Sequence, residues 1–234
     1  MNIDSKILIS SWWVLFTIAV FLWYRNFKYD RMIASYAFLL ALIQIVQYAF
    51  INGAKSKTSA NLIYIIMWLQ PIFMSFCAFV FLKKQTEQYN TEANKNISKL
   101  TFLLFLVTII VFIYKLYELY EYDNVNMSYI DGKISWNEGK IPFMEKWYLV
   151  YFTLISLPLF IIAAYYKFKD VTSLILLFFI ILSGCIVYRV VHNPYYFMST
   201  WSVVASGIAL FGWMGGLISQ SLVQTNKIVV GEWN

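Results

Sequence analysis

The stretch Ile7–Tyr24, ILISSWWVLFTIAVFLWY, contains no charged residue, and stretches of this kind decide the fold of the chain. A helix rises about 1.5 Å per residue, so about 20 residues cover the roughly 30 Å hydrocarbon layer of a bilayer. The run is continuously apolar and lacks the alternation of a lipid-facing barrel strand. No small-residue cleavage site of a signal peptide accompanies it. It therefore predicts a retained membrane-spanning α-helix.

Six further apolar stretches follow, and none of the seven has a charged residue near its centre. Hydrophobic residues make up 61% of the 234 residues and charged residues 13%, which is the composition of a membrane protein. The pattern predicts an all-α integral membrane protein with a single domain over residues 1–234, a seven-transmembrane-helix bundle. The six further spans are Met32–Asn52, Asn61–Leu82, Leu100–Tyr117, Trp147–Tyr166, Val171–Val191 and Met198–Val223.

The Lys and Arg residues of the loops predict the orientation, because short loops rich in these residues stay cytoplasmic. One set of loops carries Arg25, Lys28, Arg31, Lys83, Lys84, Lys95, Lys99, Lys167, Lys169 and Lys227. The opposite set carries Lys6, Lys55, Lys57, Lys133, Lys140, Lys146 and Arg189. We therefore expect the N-terminus outside and the C-terminus in the cytoplasm.

The longest connection, residues 118–146, then lies on the outside. The pairs Asp131-Gly132 and Glu138-Gly139 are typical of turns, so we expect a small ordered cap there and not a flexible linker. Asn126 begins a glycosylation sequon on this outer loop, whereas a second sequon at Asn96 lies on the inner side. Lys115 and Glu118 are three residues apart at the end of the fourth span, where they can form an ion pair at the interface.

Polar side chains in the second and third spans form the main candidate site. Gln44, Tyr48 and Asn52 are four residues apart and share a helical face, with Gln47 beside it. Gln70 precedes Pro71, which removes a backbone donor and favours a kink.

Amides inside lipid need hydrogen-bond partners, and we expect Gln70 to face the bundle interior and to bond Gln44 or Gln47. Two interpretations stay open. The cluster holds the second and third helices together, or it forms a polar pocket or pathway on a broken helix.

The seventh span adds small residues that permit close helix packing. Ser202 and Ser206, and Gly212 and Gly216, are spaced four apart, and Trp201 precedes them. This span contains no Lys, which excludes a retinal Schiff base.

Three short segments resemble an uncharacterised polytopic membrane family of large DNA viruses, algae and some bacteria. They are Gln44 with Gln47, Ile66 with Gln70-Pro71, and Trp201-Ser202. The family has a Glu and a His where this chain has Gln44 and Ile66. The resemblance implies a seven-helix membrane fold and no defined activity.

The inventory of reactive residues argues against an enzyme. The chain has one His, so a histidine-ligated metal site is excluded, and no nucleophile and base lie at one depth. We expect no cofactor, no metal and no nucleic acid. The chain should be a non-enzymatic membrane component, of a virion or virus-modified membrane among other settings, that binds a ligand or has a structural role.

Two alternatives to this leading hypothesis are a channel or small-solute transporter at Gln44, Gln47 and Gln70, and a seven-helix receptor without retinal. The expected partners are the lipid bilayer and either a second copy of the chain or another membrane protein. The sequence leaves open whether the membrane is plasma, endomembrane or viral.

Overall fold

The structure, a computed structural model, describes the first five helices and two short strands of the loop that follows the fourth. The residues described are 5–25, 30–53, 57–89, 92–122, 127–130, 133–136 and 148–165, with 177, 178, 180–182, 184 and 185 beyond them. The elements are α1 (Ser5–Arg25), α2 (Asp30–Ile51), α3 (Lys57–Tyr89), α4 (Glu92–Tyr122), β1 (Met127–Ile130), β2 (Lys133–Trp136) and α5 (Tyr148–Tyr165).

Four of these helices are long and apolar enough to cross a membrane. They comprise α1, α2 and the segments Lys57–Lys84 of α3 and Lys95–Glu121 of α4. Each matches an apolar stretch that the sequence predicts, with α2 ending one residue earlier than predicted. α5 is a shorter apolar helix that covers all but the first and last residue of the fifth predicted stretch. The chain is therefore an integral membrane protein built on apolar helices. Seven residues of the sixth predicted span, between 177 and 185, are described and are helical, whereas the seventh span lies outside the described residues. The count of seven helices therefore stays a prediction.

α3 is the central helix of the described part, since it packs against α2, α4 and α5. Its contact with α4 includes two ring pairs, Phe76 with Phe105 and Phe79 with Phe102, whose centroids are 5.4 Å and 5.2 Å apart. These pairs contribute van der Waals packing, which drives helix association in lipid because burial from water does not.

α1 and α2 form an antiparallel pair that is tied at its turn by an ion pair. The Arg25 guanidinium donates from Nε to Oδ2 of Asp30 at 2.7 Å and from Nη2 to Oδ1 at 2.6 Å. This two-pronged geometry is the strongest arrangement that Arg makes with a carboxylate. It joins the last residue of α1 to the first residue of α2 across a four-residue connection.

α2 ends in a glycine turn. Gly53 has φ of 117°, a backbone conformation that residues with a Cβ rarely adopt. Before it, the Asn52 side chain donates from Nδ2 to the Tyr48 carbonyl at 2.8 Å, which satisfies one of the last carbonyls of the helix. The chain then reverses into α3.

The loop that follows α4 contains an antiparallel hairpin that the sequence analysis did not predict. Ile130 pairs with Lys133, so only Asp131 and Gly132 separate the strands. Tyr129 pairs with Ile134, and Ile134 is fully buried in the apolar core that Tyr129 also packs against. The hairpin is therefore anchored to the helices. Residues 137–147 lie outside the described residues, so an ordered cap over the whole connection stays a prediction.

Candidate functional site

An ion pair is buried where α4 approaches its C-terminal end. The Lys115 ammonium donates to Oε2 of Glu118 at 2.5 Å, as the spacing of three residues predicts. Its side chain is only 1% exposed, and that of Glu118 is 12% exposed. The expected pair is therefore formed, and Lys115 lies six residues before the end of the apolar segment Lys95–Glu121 of α4.

Aromatic rings surround the ammonium. Lys115 Nζ lies 5.4 Å from the ring centroid of Trp68 on α3 and 5.5 Å from that of Tyr114. The face of an aromatic ring is negative, so both contacts stabilise the cation where water is excluded. Trp68 in turn meets Tyr151 of α5 edge to face, with the centroids 5.6 Å apart.

Tyr151 completes the connection to the middle of the third span. Its hydroxyl donates a hydrogen bond to Oε1 of Gln70, which lies midway between Lys57 and Lys84. Lys115, Glu118, Trp68, Tyr151 and Gln70 therefore form one continuous set of contacts across α3, α4 and α5. We call these five residues the polar cluster.

The position of Gln70 agrees with the sequence analysis, but its partner does not. The side chain is fully buried beside Pro71, as expected. Its carbonyl oxygen is taken by Tyr151, and its Nε2 has no hydrogen-bond partner among the described residues. The expected bond from this amide to Gln44 or Gln47 is therefore not formed, and the partner of its oxygen comes from α5.

The polar face of α2 divides into a buried part and a surface part. Gln44 and Gln47 are fully buried. Neither amide atom of Gln44 has a hydrogen-bond partner within the described ranges. Tyr48 is partly buried and Asn52 is exposed, with its amide turned back on its own helix. Only the two glutamines are therefore candidates for an interior site.

α3 continues through Pro71, which is buried. One turn later the Ser75 hydroxyl donates to the Pro71 carbonyl at 2.8 Å and lies 2.9 Å from the hydroxyl of Thr108 on α4. The Ser75 side chain thus bonds the carbonyl of Pro71 and also contacts the neighbouring helix α4. This is a packing contact between α3 and α4.

The remaining predicted site residues lie outside the described residues. They are Trp201, Ser202, Ser206, Gly212 and Gly216 of the predicted seventh span, and Asn126 of the loop that follows α4.

Sequence reasoning missed Trp68 and Tyr151 as members of the cluster. Both are aromatic residues in apolar stretches, and the sequence there looks the same whether the ring only packs or also contacts a polar group. The predicted pair Lys115 and Glu118 could have indicated an aromatic neighbour, because an ammonium at the end of an apolar span is stabilised by the face of an aromatic ring.

The cluster holds charge and hydrogen-bonding groups but no set for metal binding. Within the described ranges, no group of three or more His, Cys, Asp or Glu side chains comes together. The arrangement can hold an ammonium group between a carboxylate and aromatic faces.

The chain matches no protein-family model, no curated protein and no solved structure.

Proposed function

We propose that the protein is a non-enzymatic polytopic membrane protein that binds a small organic ammonium compound at the polar cluster. In this proposal the chain forms a seven-helix bundle with its N-terminus outside, and the hairpin covers the end at which the ligand enters. The resemblance of Gln44, Gln47 and Gln70-Pro71 to the viral, algal and bacterial family belongs to the same proposal.

The buried Lys115 ammonium is the observation that carries this proposal. Ionisable residues within membrane spans are rare and commonly mark functional sites. Here the ammonium is held by the Glu118 carboxylate and by the faces of Trp68 and Tyr114. Aromatic faces with a carboxylate are the groups that recognise ligand ammonium ions.

In this interpretation the Lys115 ammonium fills the ligand's position in the polar cluster while no ligand is bound. Glu118 is the more exposed partner of the pair, so a ligand would approach from its side. The ligand ammonium would take the place of Lys115 Nζ, and the lysine side chain would move toward the interface, as long basic side chains commonly do.

Chemical rescue tests whether the site accepts such a ligand. Lys115→Ala removes the ammonium and its stem, and added propylammonium should restore thermal stability to this variant. Neutral propanol should restore less, and Lys99→Ala, which removes an exposed cation of the same helix, should show no specific response. Equal effects of propylammonium and propanol on Lys115→Ala would rule out the proposed ammonium site.

The second candidate function is a channel or small-solute transporter whose path passes beside the buried amide groups of Gln44 and Gln70. Both amide atoms of Gln44 and Nε2 of Gln70 have no hydrogen-bond partner among the described residues. A buried amide without a partner costs roughly 2–7 kcal/mol, depending on the reference state, which favours water or a solute beside it. Proteoliposome swelling in glycerol should then be abolished by Gln70→Leu and retained in Thr101→Val, a buried change on α4.

A further inference from the structure

A groove between α1 and α2, separate from the polar cluster, opens to the outside of the described bundle. Its volume is about 530 Å³, within the range of pockets that hold small apolar ligands. Two small buried residues, Ala19 and Ala34, lie along its base. Exposed rings of Trp23, Phe38 and Phe73 line its sides, with Phe73 contributed by α3. Small residues between large ones leave an elongated apolar space.

A positive charge with no acidic partner among the described residues lies beside one end of the groove. Trp23 lines the groove, and the Arg31 guanidinium carbon lies 5.7 Å from the centroid of its ring. The neighbouring Arg25 is neutralised by Asp30, whereas Arg31 forms no ion pair with the described residues.

One hydrogen-bond donor of the Arg31 guanidinium is also without an acceptor among the described residues. Its Nε is buried and has no hydrogen-bond partner within the described part of the chain. A buried donor without an acceptor costs about 1–3 kcal/mol, and an anionic oxygen would remove that cost.

The order of these features along the groove matches a phospholipid. The apolar space lies between membrane helices, and the cation lies at the end of α1 and the start of α2, where Trp23 and Tyr24 mark the headgroup level. Guanidinium groups suit phosphate oxygens because their donors form a planar fork.

We propose that the α1–α2 groove binds an anionic phospholipid, with an acyl chain along Ala19 and Ala34 and the phosphate on Arg31. This goes beyond the proposed ligand function and uses none of the polar cluster. It requires only that α1 and α2 lie in a membrane. The orientation proposed above would place this lipid in the cytoplasmic leaflet, where anionic lipids are concentrated.

Native mass spectrometry of the full chain tests the headgroup contact. Phosphatidylglycerol should bind about tenfold more tightly than phosphatidylcholine with the same acyl chains, because one charge-assisted contact distinguishes them. Arg31→Gln should reduce this preference to about twofold or less, since the charge is lost. Lys83→Gln removes an exposed cation of α3 and should leave the preference unchanged. Equal binding of the two lipids by the natural chain would overturn the proposal.

Two further measurements test the acyl chain and do not depend on the Arg31 variant. Ala34→Leu fills the base of the groove and should weaken both lipids alike. Phosphatidylglycerol with brominated acyl chains should quench tryptophan fluorescence, and Trp23→Phe should remove more of that quenching than Trp13→Phe does. Trp13 is an exposed control on the same helix that does not line the groove. Unchanged affinity in Ala34→Leu, or equal quenching in both Trp variants, would exclude a chain in this groove.

Discussion

The hydroxyl of Tyr151 hydrogen-bonds the side-chain carbonyl of Gln70 and so joins α5 to the middle of α3. Both side chains are fully buried. The contact allows the two roles considered for Gln70, helix packing and lining of a solute path, to be tested apart. A substitution at a packing residue changes stability, whereas one at a residue that lines a path changes flux.

We predict that Tyr151 and Gln70 are energetically coupled by about 0.6 kcal/mol, the average for hydrogen bonds between membrane helices. Gln70→Leu should leave the fold intact. Unfolding of Gln70→Leu, Tyr151→Phe and the double variant, measured by thermal denaturation in detergent, gives the coupling. Tyr120→Phe serves as the control, because Tyr120 is highly exposed. Strictly additive effects of the two substitutions would contradict the contact.

Lys115 and Glu118 should also show strong coupling, because removing one charge leaves the other without its partner in a buried site. We expect Lys115→Met and Glu118→Gln each to lower the free energy of unfolding by about 2 kcal/mol, below the range for fully buried pairs because Glu118 is partly exposed. The double variant should cost no more than the worse single one. Lys99→Met should be nearly neutral. A double variant as unstable as the sum of both single variants would show that the ion pair is unimportant.

The contact between Ser75 and Thr108 predicts a cross-link between α3 and α4. Their hydroxyl oxygens are 2.9 Å apart, so cysteines at these positions can reach the disulfide distance of about 2 Å. Oxidation of Ser75→Cys with Thr108→Cys should protect both thiols from a maleimide polymer, measured by gel shift. The two natural thiols, Cys77 and Cys185, are free and should first be changed to Ser.

The matched control for this cross-link is Phe73→Cys with Thr108→Cys. Phe73 is an exposed residue of α3 that lines the α1–α2 groove, so this pair should keep both thiols reactive. Equal protection of both pairs would show that the register of α3 against α4 differs from that described.

The orientation predicts that the hairpin side of the protein is outside the cell. In a chain lacking other cysteines, Asp131→Cys should react with a membrane-impermeant maleimide in intact cells, and Lys95→Cys should react only after permeabilisation. Expression through the endoplasmic reticulum should allow glycosylation at Asn126 and not at Asn96. The reverse pattern of labelling would place the N-terminus in the cytoplasm.

The helices were predictable because their signal is continuous along the chain. An apolar stretch such as Ile7–Tyr24 needs no knowledge of its neighbours to be recognised as a span, and α1 extends beyond it by only a few residues. The hairpin was missed although its signal is present. Asp131-Gly132 is a favoured two-residue turn between segments with alternating apolar residues, but the sequence analysis used it to predict an ordered cap and assigned no strands beside it.

The polar cluster could be predicted only in part. Helical periodicity places a residue on one face of its helix but does not indicate which other helix packs against that face. The pair Lys115 and Glu118 is local and was found from spacing. The contact of Gln70 with Tyr151 spans 81 positions and depends on how α5 packs against α3. No property of the Gln70 segment itself distinguishes α5 from α2 as the source of its partner.

The Arg25–Asp30 ion pair has a consequence for biogenesis. α1 and α2 are each long and apolar enough to cross the membrane, and α2 is the main neighbour of α1 among the described helices. Their short connection is tied by the ion pair, so the two helices can pack together before α3 has left the ribosome. We therefore expect α1 and α2 to enter the bilayer together as one helical hairpin, and α3 to dock onto α2 afterwards.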